Sequence, residues 1–255
     1  RTAAYSSSTR FIVHMNRVCD DLFQNLPCTK YFIGTGGERS LHDQCIRKGM
    51  RRHARNSGRF FPHIVQRAAL EARIKDLKLL IMFTDEARFG RITTPANCWS
   101  PPGVRPIAPK QAIREYTYAY AAVAPEDGTM DSLILPDMYA STLQIFLDEL
   151  STRHADSLIL LVMDGAPSHR AGKEKLTIPW NIRINEQPAY SPEVNPVEHV
   201  WDEMREKFFC NMVFRDMDAV EKRMVDALLS LERNPPLLQS ITGFPWIKQA
   251  LNCIN

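Results

Sequence analysis

The sequence lacks the features that direct a protein to a membrane or to the secretory route. No stretch of its 255 residues approaches the roughly eighteen consecutive apolar residues of a membrane span. Its first residues, RTAAYSSSTRFIVHM, contain neither a long apolar core nor a small-residue cleavage site, so export is not expected. We therefore expect a cytoplasmic protein with no membrane partner. Because the chain begins at Arg1 rather than at a methionine, the presence of an upstream segment stays open.

Closely spaced cysteines are missing as well. The six cysteines are scattered, and neither they nor the seven histidines show the ligand spacing of a zinc site. We expect free thiols and no structural zinc. The glycines at positions 34, 36 and 37 are not followed by the Lys-Ser/Thr pair of a phosphate-binding loop, so we interpret them as part of a turn.

The net charge of +3 is small, but the basic residues are unevenly distributed. Between Arg47 and Arg59 the chain contains six Lys or Arg residues and no acid. Such a run suits contacts to phosphate. A solvated face or a disordered arm is the commoner explanation, and both interpretations stay open.

Hydrophobic periodicity divides the chain at about residue 60. Residues 1–60 show no sustained period and are assigned to a poorly defined N-terminal region, whereas residues 61–255 alternate between helix and strand patterns. Asp127 and Gly128 predict a hairpin turn, and Ser141 and Gln144 are spaced as a capping box. The order of the patterns predicts an α/β fold that includes an antiparallel meander. The predicted helices are 61–77, 141–153, 196–209, 216–232 and 245–252, and the predicted strands are 77–83, 115–123, 132–135, 157–163 and 181–185.

Three acidic residues fall where a sheet and a helix could gather them. Asp85 and Asp164 each follow an apolar strand, and Glu198 lies in the first turn of a helix. Gathered carboxylates repel one another, and either protonation or a bound hard cation such as Mg²⁺ relieves the repulsion. Two such ions can promote in-line phosphoryl displacement. Spacing alone leaves open that these acids are loop and cap residues, since Asn195 and Pro196 suit an N-cap and a first helical position before Glu198.

The segments around these acids resemble the three catalytic blocks of the mariner superfamily of transposases, especially their bacterial insertion-sequence relatives. They are FTDEARFG (83–90), LVMDGAPSHR (161–170) and AYSPEVNPVEHVW (189–201), of which the third is the most specific. Glu198 follows Asp164 by 34 positions, close to the family's spacing. The resemblance implies a ribonuclease H-like fold, a mixed sheet flanked by helices, in residues 61–255. It also implies that Asp85, Asp164 and Glu198 are catalytic residues that bind two Mg²⁺ ions, or Mn²⁺ in their place.

The implied activity is metal-dependent DNA strand cleavage and strand transfer on transposon ends and target DNA. A homodimer on DNA and a location at the nucleoid, in a bacterium, would accompany it. The family's upstream helix-turn-helix region is not recognisable in residues 1–60. A cellular nuclease of the same fold and a non-catalytic DNA-binding remnant of a transposase stay open as alternatives. The candidate DNA contacts, each of which has exposed or hydrogen-bonded polar surface as its alternative explanation, are Arg88, His169, Arg170 and Lys173.

Overall fold

A mixed β-sheet forms the centre of the part of the chain that the computed structural model describes. The described residues are 61–93, 95–96, 100, 102–103, 107–164, 176–187 and 194–252. They form a five-stranded sheet of order β3-β2-β1-β4-β5. β2 runs antiparallel to β1 and β3, whereas β4 runs parallel to β1 and β5. The strands are β1 (Lys78–Ile92), β2 (Ala112–Ala124), β3 (Thr129–Leu135), β4 (Ser157–Met163) and β5 (Ile182–Glu186).

Helices cover both faces of this sheet. Residues 61–74 are helical and are called α1. A π-helical turn, Arg205–Phe209, continues directly from α3. In the described ranges, no helix is long and apolar enough to cross a bilayer. The remaining helices are α2 (Ala140–Arg153), α3 (Val197–Met204), α4 (Met217–Glu232), α5 (Pro235–Thr242) and α6 (Pro245–Leu251).

The side chains of β1 alternate between two buried layers, as the pleat of a strand requires. Ile81 and Phe83 face a hydrophobic cluster that contains residues of α1, α3, α4 and α6, whereas Met82 faces a second cluster beneath α2. All seven residues of β4 are buried. Because β4 is a central strand covered on both faces, its sequence is apolar without alternation.

The sequence correctly predicted the antiparallel meander but misjudged the length of β1. The apolar run that ends at Phe83 predicted a strand whose end carries Asp85, whereas β1 continues to Ile92. Beyond Phe83, β1 no longer pairs with β4 but keeps its antiparallel pairing with β2. The pairing with β2 provides hydrogen bonds to the backbone whether the side chains are polar or apolar. The strand therefore continues past the end of the apolar run. Asp85 therefore lies within β1, while Asp164 directly follows the end of β4 as predicted.

The helices differ from the prediction in two ways, in the start of α2 and in the additional helix α5. The N-cap residue of α2 is Tyr139, with no side-chain cap, so the predicted capping box is wrong. Gln144 instead exchanges two hydrogen bonds of 2.8 Å with the backbone of Thr177. The unpredicted helix α5 has an N-cap signal in its sequence, because Asn234 accepts a hydrogen bond from the Leu237 N–H at the start of that helix.

Candidate active site

The parallel register of β1 and β4 brings two of the predicted acids side by side. Phe83 pairs with Val162. Asp85 and Asp164 each lie two residues beyond this last pair, and the charge of Asp164 acts on Asp85. The sheet therefore presents two carboxylates at the point where β1 and β4 cease to pair.

The third acid approaches this point from helix α3. Asp85 shares the odd-numbered face of β1 with Phe83, which packs in the same cluster as Trp201 of α3. The indole Nε1 of Trp201 donates a hydrogen bond of 2.9 Å to Oδ2 of Asp85. Trp201 is fully buried and lies one helical turn after Glu198. This bond connects the helix that carries Glu198 directly to Asp85.

Asn195 joins the start of α3 to β1. Its Oδ1 accepts a hydrogen bond from the Val197 N–H at 3.2 Å, and its Nδ2 donates to the Thr84 carbonyl at 3.4 Å. Helix α3 begins at Val197, and its N-cap residue is Pro196, with no side-chain cap, so the predicted N-cap at Asn195 and first helical position at Pro196 are each one residue early. Because Thr84 precedes Asp85 in β1, a single buried amide holds the first turn of α3 against the strand that carries Asp85.

Gln187 forms hydrogen bonds with the two chain segments that lead to Asp164 and to Asn195. Its backbone N–H donates to the Met163 carbonyl at 2.8 Å, and its Nε2 donates to the Val194 carbonyl at 3.0 Å. Met163 immediately precedes Asp164 and Val194 immediately precedes Asn195. Gln187 therefore fixes the approach of both segments to the acids.

We expect Asn195→Ala to destabilise the protein by about 1–2 kcal/mol, because it removes the two buried hydrogen bonds of the Asn195 side chain. Urea unfolding followed by circular dichroism measures this loss. Asn234→Ala is the matched control, because it removes the cap of α5 without touching β1. We expect both variants to lose stability but only Asn195→Ala to weaken Mn²⁺ binding as well. Equal Mn²⁺ affinity in the two variants would show that Asn195 has no influence on the acids.

Burial and mutual repulsion perturb the carboxyl groups. Burial, followed by the charge of Glu198, raises the pKa of Asp85 to about 8, and Glu86 and Asp164 add to the rise, while the Trp201 bond opposes it. Burial also raises the pKa of Glu198, and the charge of Asp164 acts in the same direction. The three predicted acids therefore interact electrostatically.

This set of donors suits a hard cation. Carboxylate oxygens are the ligands that Mg²⁺ and Mn²⁺ prefer, and a bound cation offsets the repulsion that raises the pKa of Asp85. Among the described residues, no three His, Cys, Asp or Glu side chains form a ready-made metal cluster. The acids are thus neighbours by strand register and by charge, without a closed coordination geometry.

The even-numbered face of β1 carries Glu86 and Arg88. Because β1 remains extended through both residues, their side chains point away from the face that carries Asp85. Arg88 is exposed, and its guanidinium carbon lies 4.4 Å from the ring centre of Tyr116 on β2. The other candidate DNA contacts, His169, Arg170 and Lys173, lie outside the described residues.

Two further residues of this site were not predicted as functional candidates from the sequence. The two are Trp201 and Arg205. Arg205 is exposed, and its charge opposes the rise in the pKa of Glu198. The two residues follow Glu198 by three and seven positions, a spacing that places all three on one helical face and could have identified them.

Comparison with known proteins places the chain among nucleases. The DDE superfamily endonuclease family matches residues 80–221, a span that contains Asp85, Asp164 and Glu198. A protein of Sinorhizobium fredii (strain NBRC 101917 / NGR234), named uncharacterized protein y4pE/y4sA, is 33% identical over 132 residues. That alignment covers 51% of this chain and 96% of the relative.

Solved structures of the Mos1 transposase share the fold. The Mos1 strand transfer complex has a TM-score of 0.50 at 17% identity, and the match covers 94% of this chain and 70% of that one. The Mos1 mariner paired end complex with Mn has a TM-score of 0.51 at 17% identity, covering 95% and 70%. This similarity confirms the predicted ribonuclease H-like fold, a mixed sheet flanked by helices.

Proposed function

Because this chain belongs to the DDE superfamily of endonucleases, we propose that it is the catalytic domain of a DNA transposase, which cleaves DNA strands and transfers them to a target. The observation that carries the proposal is the position of Asp85 and Asp164, each two residues beyond the last pair of the β1–β4 ladder, with Glu198 coupled to both by charge. We assign the catalytic domain to residues 61–255 and leave residues 1–60 as a separate region.

We assign the catalytic and metal-binding roles to the same three acids. Asp85 would bind the metal ions from β1, Asp164 from the end of β4, and Glu198 from α3. When bound, two Mg²⁺ or Mn²⁺ ions activate the attacking oxygen and stabilise the leaving oxygen of an in-line displacement. The Mos1 structure that contains Mn supports Mn²⁺ as a substitute for Mg²⁺.

The proposed substrate is DNA, held by basic side chains around the acids. Arg205 is exposed next to Glu198, which suits a contact to the phosphate that is cut. Arg88 lies on the opposite face of β1, so we assign it to the backbone of DNA that flanks the cut. His169, Arg170 and Lys173 keep their proposed roles as DNA contacts.

We further propose that two copies of the chain act together on two transposon ends. Related structures of the Mos1 transposase are paired-end complexes, which supports this arrangement. We propose a cytoplasmic location for this chain, at the nucleoid if the cell is bacterial.

A strand-transfer assay tests the proposed function. The full chain is incubated with duplexes made from the terminal repeats that flank its gene, with a target plasmid, and with Mg²⁺, Mn²⁺ or EDTA. We expect cut and joined products with either ion and none with EDTA. Cleavage without joining would favour a cellular nuclease, and binding without cleavage would favour a non-catalytic remnant.

We expect Arg88→Ala to weaken DNA binding and to reduce the slope of log affinity against log salt by about 1, because one phosphate contact is lost. Fluorescence anisotropy over a range of salt concentrations measures both quantities. Lys78→Ala is the matched control, since Lys78 is an exposed cation at the other end of β1. An identical salt slope in wild type and Arg88→Ala would remove Arg88 from the DNA-binding surface.

A further inference from the structure

We propose that Trp201 is a positioning residue for Asp85, whose carboxylate it orients by holding Oδ2 so that Oδ1 is presented to the cation. The contact between the two side chains spans 116 positions of sequence and joins the helix of one acid to the strand of another. This inference rests on the proposed function, because it concerns the metal-binding role of Asp85.

The indole ring is held in place independently of the carboxylate. Trp201 is completely buried in the cluster that α3 shares with β1. Its ring packs edge-to-face against Phe89, with the ring centroids 6.2 Å apart. A ring fixed by packing keeps its N–H direction fixed as well. The hydrogen bond therefore restrains the shorter Asp85 side chain more than it restrains the indole.

The chemistry of the indole and the carboxylate determines which lone pairs of Asp85 remain available to a metal ion. An indole Nε1–H can only donate a hydrogen bond, and an ionised carboxylate can only accept one. The bond of 2.9 Å occupies one lone pair of Oδ2 and limits rotation of the carboxylate about its last bond. Oδ1 takes no part in this contact, so its lone pairs are left for a ligand other than Trp201.

The same bond sets the separation between two of the proposed metal ligands. Glu198 lies one turn before Trp201 on α3, while Asp85 lies on β1. A shift of α3 relative to the sheet would move Glu198 and break the bond together. Trp201 therefore couples the position of the helix ligand to that of the strand ligand.

A purely structural role for this bond makes a different prediction. If Asp85 only satisfied a buried indole, loss of the indole N–H would lower stability and leave metal affinity unchanged. If Trp201 orients Asp85, loss of the N–H weakens metal binding in a protein that remains folded. Mutation of a residue that hydrogen-bonds to a metal ligand typically weakens metal affinity by about 10–100-fold.

The first test compares Trp201→Phe with Trp246→Phe in the full chain. Both variants replace an indole by a phenyl ring in the same hydrophobic cluster, but Trp246 packs on Phe83 and Phe61 and not on a carboxylate. Free Mn²⁺ is measured by electron paramagnetic resonance during titration. We expect about 10–100-fold weaker Mn²⁺ binding in Trp201→Phe and wild-type binding in Trp246→Phe.

A second measurement needs no variant at position 201. The full chain is labelled with ¹⁵N at its indoles and titrated with Mg²⁺, and the Trp201 resonance is identified by replacing Trp99, Trp180 and Trp246 in turn. We expect that resonance to shift saturably with Mg²⁺, and the shift to disappear in Asp85→Asn.

The outcomes separate this inference from the proposed function. If the wild-type chain binds no Mn²⁺, the proposed function fails and the inference fails with it. If the wild-type chain and Trp201→Phe bind Mn²⁺ equally, or if the Trp201 resonance does not respond to Mg²⁺, only the inference is overturned. Weaker binding that is confined to Trp201→Phe, together with a responsive resonance, supports it.

Discussion

Replacing Asp164 by asparagine is expected to abolish DNA cleavage while leaving the protein folded. Asparagine has nearly the same shape as aspartate, and Asp164 follows β4 at the edge of the buried layer rather than inside it. The substitution removes one negative charge from the proposed metal site. We expect a fall in the cleavage rate of at least about 10²–10³-fold, as for the loss of a single preorganised electrostatic contact in an enzyme.

Single-turnover cleavage of a terminal-repeat duplex measures this effect, and thermal unfolding by circular dichroism measures the fold. Asp156→Asn is the matched control, because Asp156 precedes the opposite end of β4 and pairs with Lys78 at the surface. We expect the control to cleave like the wild type. Wild-type cleavage by Asp164→Asn would remove Asp164 from the proposed triad.

The parts of this fold that the sequence predicted are those whose pattern is local. The fully buried β4 is a continuous apolar run, and α4 begins next to Asp216, whose side chain accepts from the Ala219 N–H. Such signals need no knowledge of the rest of the chain. The second half of β1 has no comparable signal, because its pairing with β2 is supplied by residues twenty or more positions away.

The candidate site shows the same division between local and distant information. The sequence segments identified Asp85, Asp164 and Glu198, and helical spacing places Trp201 on the face of Glu198. The hydrogen bond between Trp201 and Asp85 depends on how α3 packs on the sheet, which no local pattern specifies. Gln144 illustrates the limit of motifs, since it satisfies the spacing of a capping box but bonds to the backbone of Thr177.

The stability of the metal-free protein is expected to fall as the pH rises from about 4 to about 8. Burial and then the charge of Glu198 raise the pKa of Asp85 to about 8 in the folded chain, above its ordinary value of 3.8. Between these two values the folded chain retains a proton that the unfolded chain has released. Rising pH therefore favours unfolding, by up to about 1.4 kcal/mol per pH unit from this one group. Glu198 contributes in the same direction because its pKa is also raised.

Urea unfolding at pH 5 and pH 8 in EDTA measures this dependence, and Asp85→Asn identifies its source. The asparagine carbonyl can still accept the Trp201 N–H bond, so the variant removes the ionisation with little change in packing. We expect its stability to depend on pH much less than that of the wild type. Asp156→Asn should keep the wild-type slope, because its hydrogen bonds with Ser157 and Lys78 hold the pKa of Asp156 below this pH window.

Added Mg²⁺ or Mn²⁺ is expected to oppose the loss of stability at high pH. A cation binds the ionised carboxylates, so it competes with the proton on Asp85 and stabilises the folded chain more at pH 8 than at pH 5. The stabilisation should depend on Asp85, and Asp85→Asn should lose most of it. An equal pH slope in the wild type and in Asp85→Asn would show that Asp85 ionises normally, and that repulsion among the three acids is relieved without a cation.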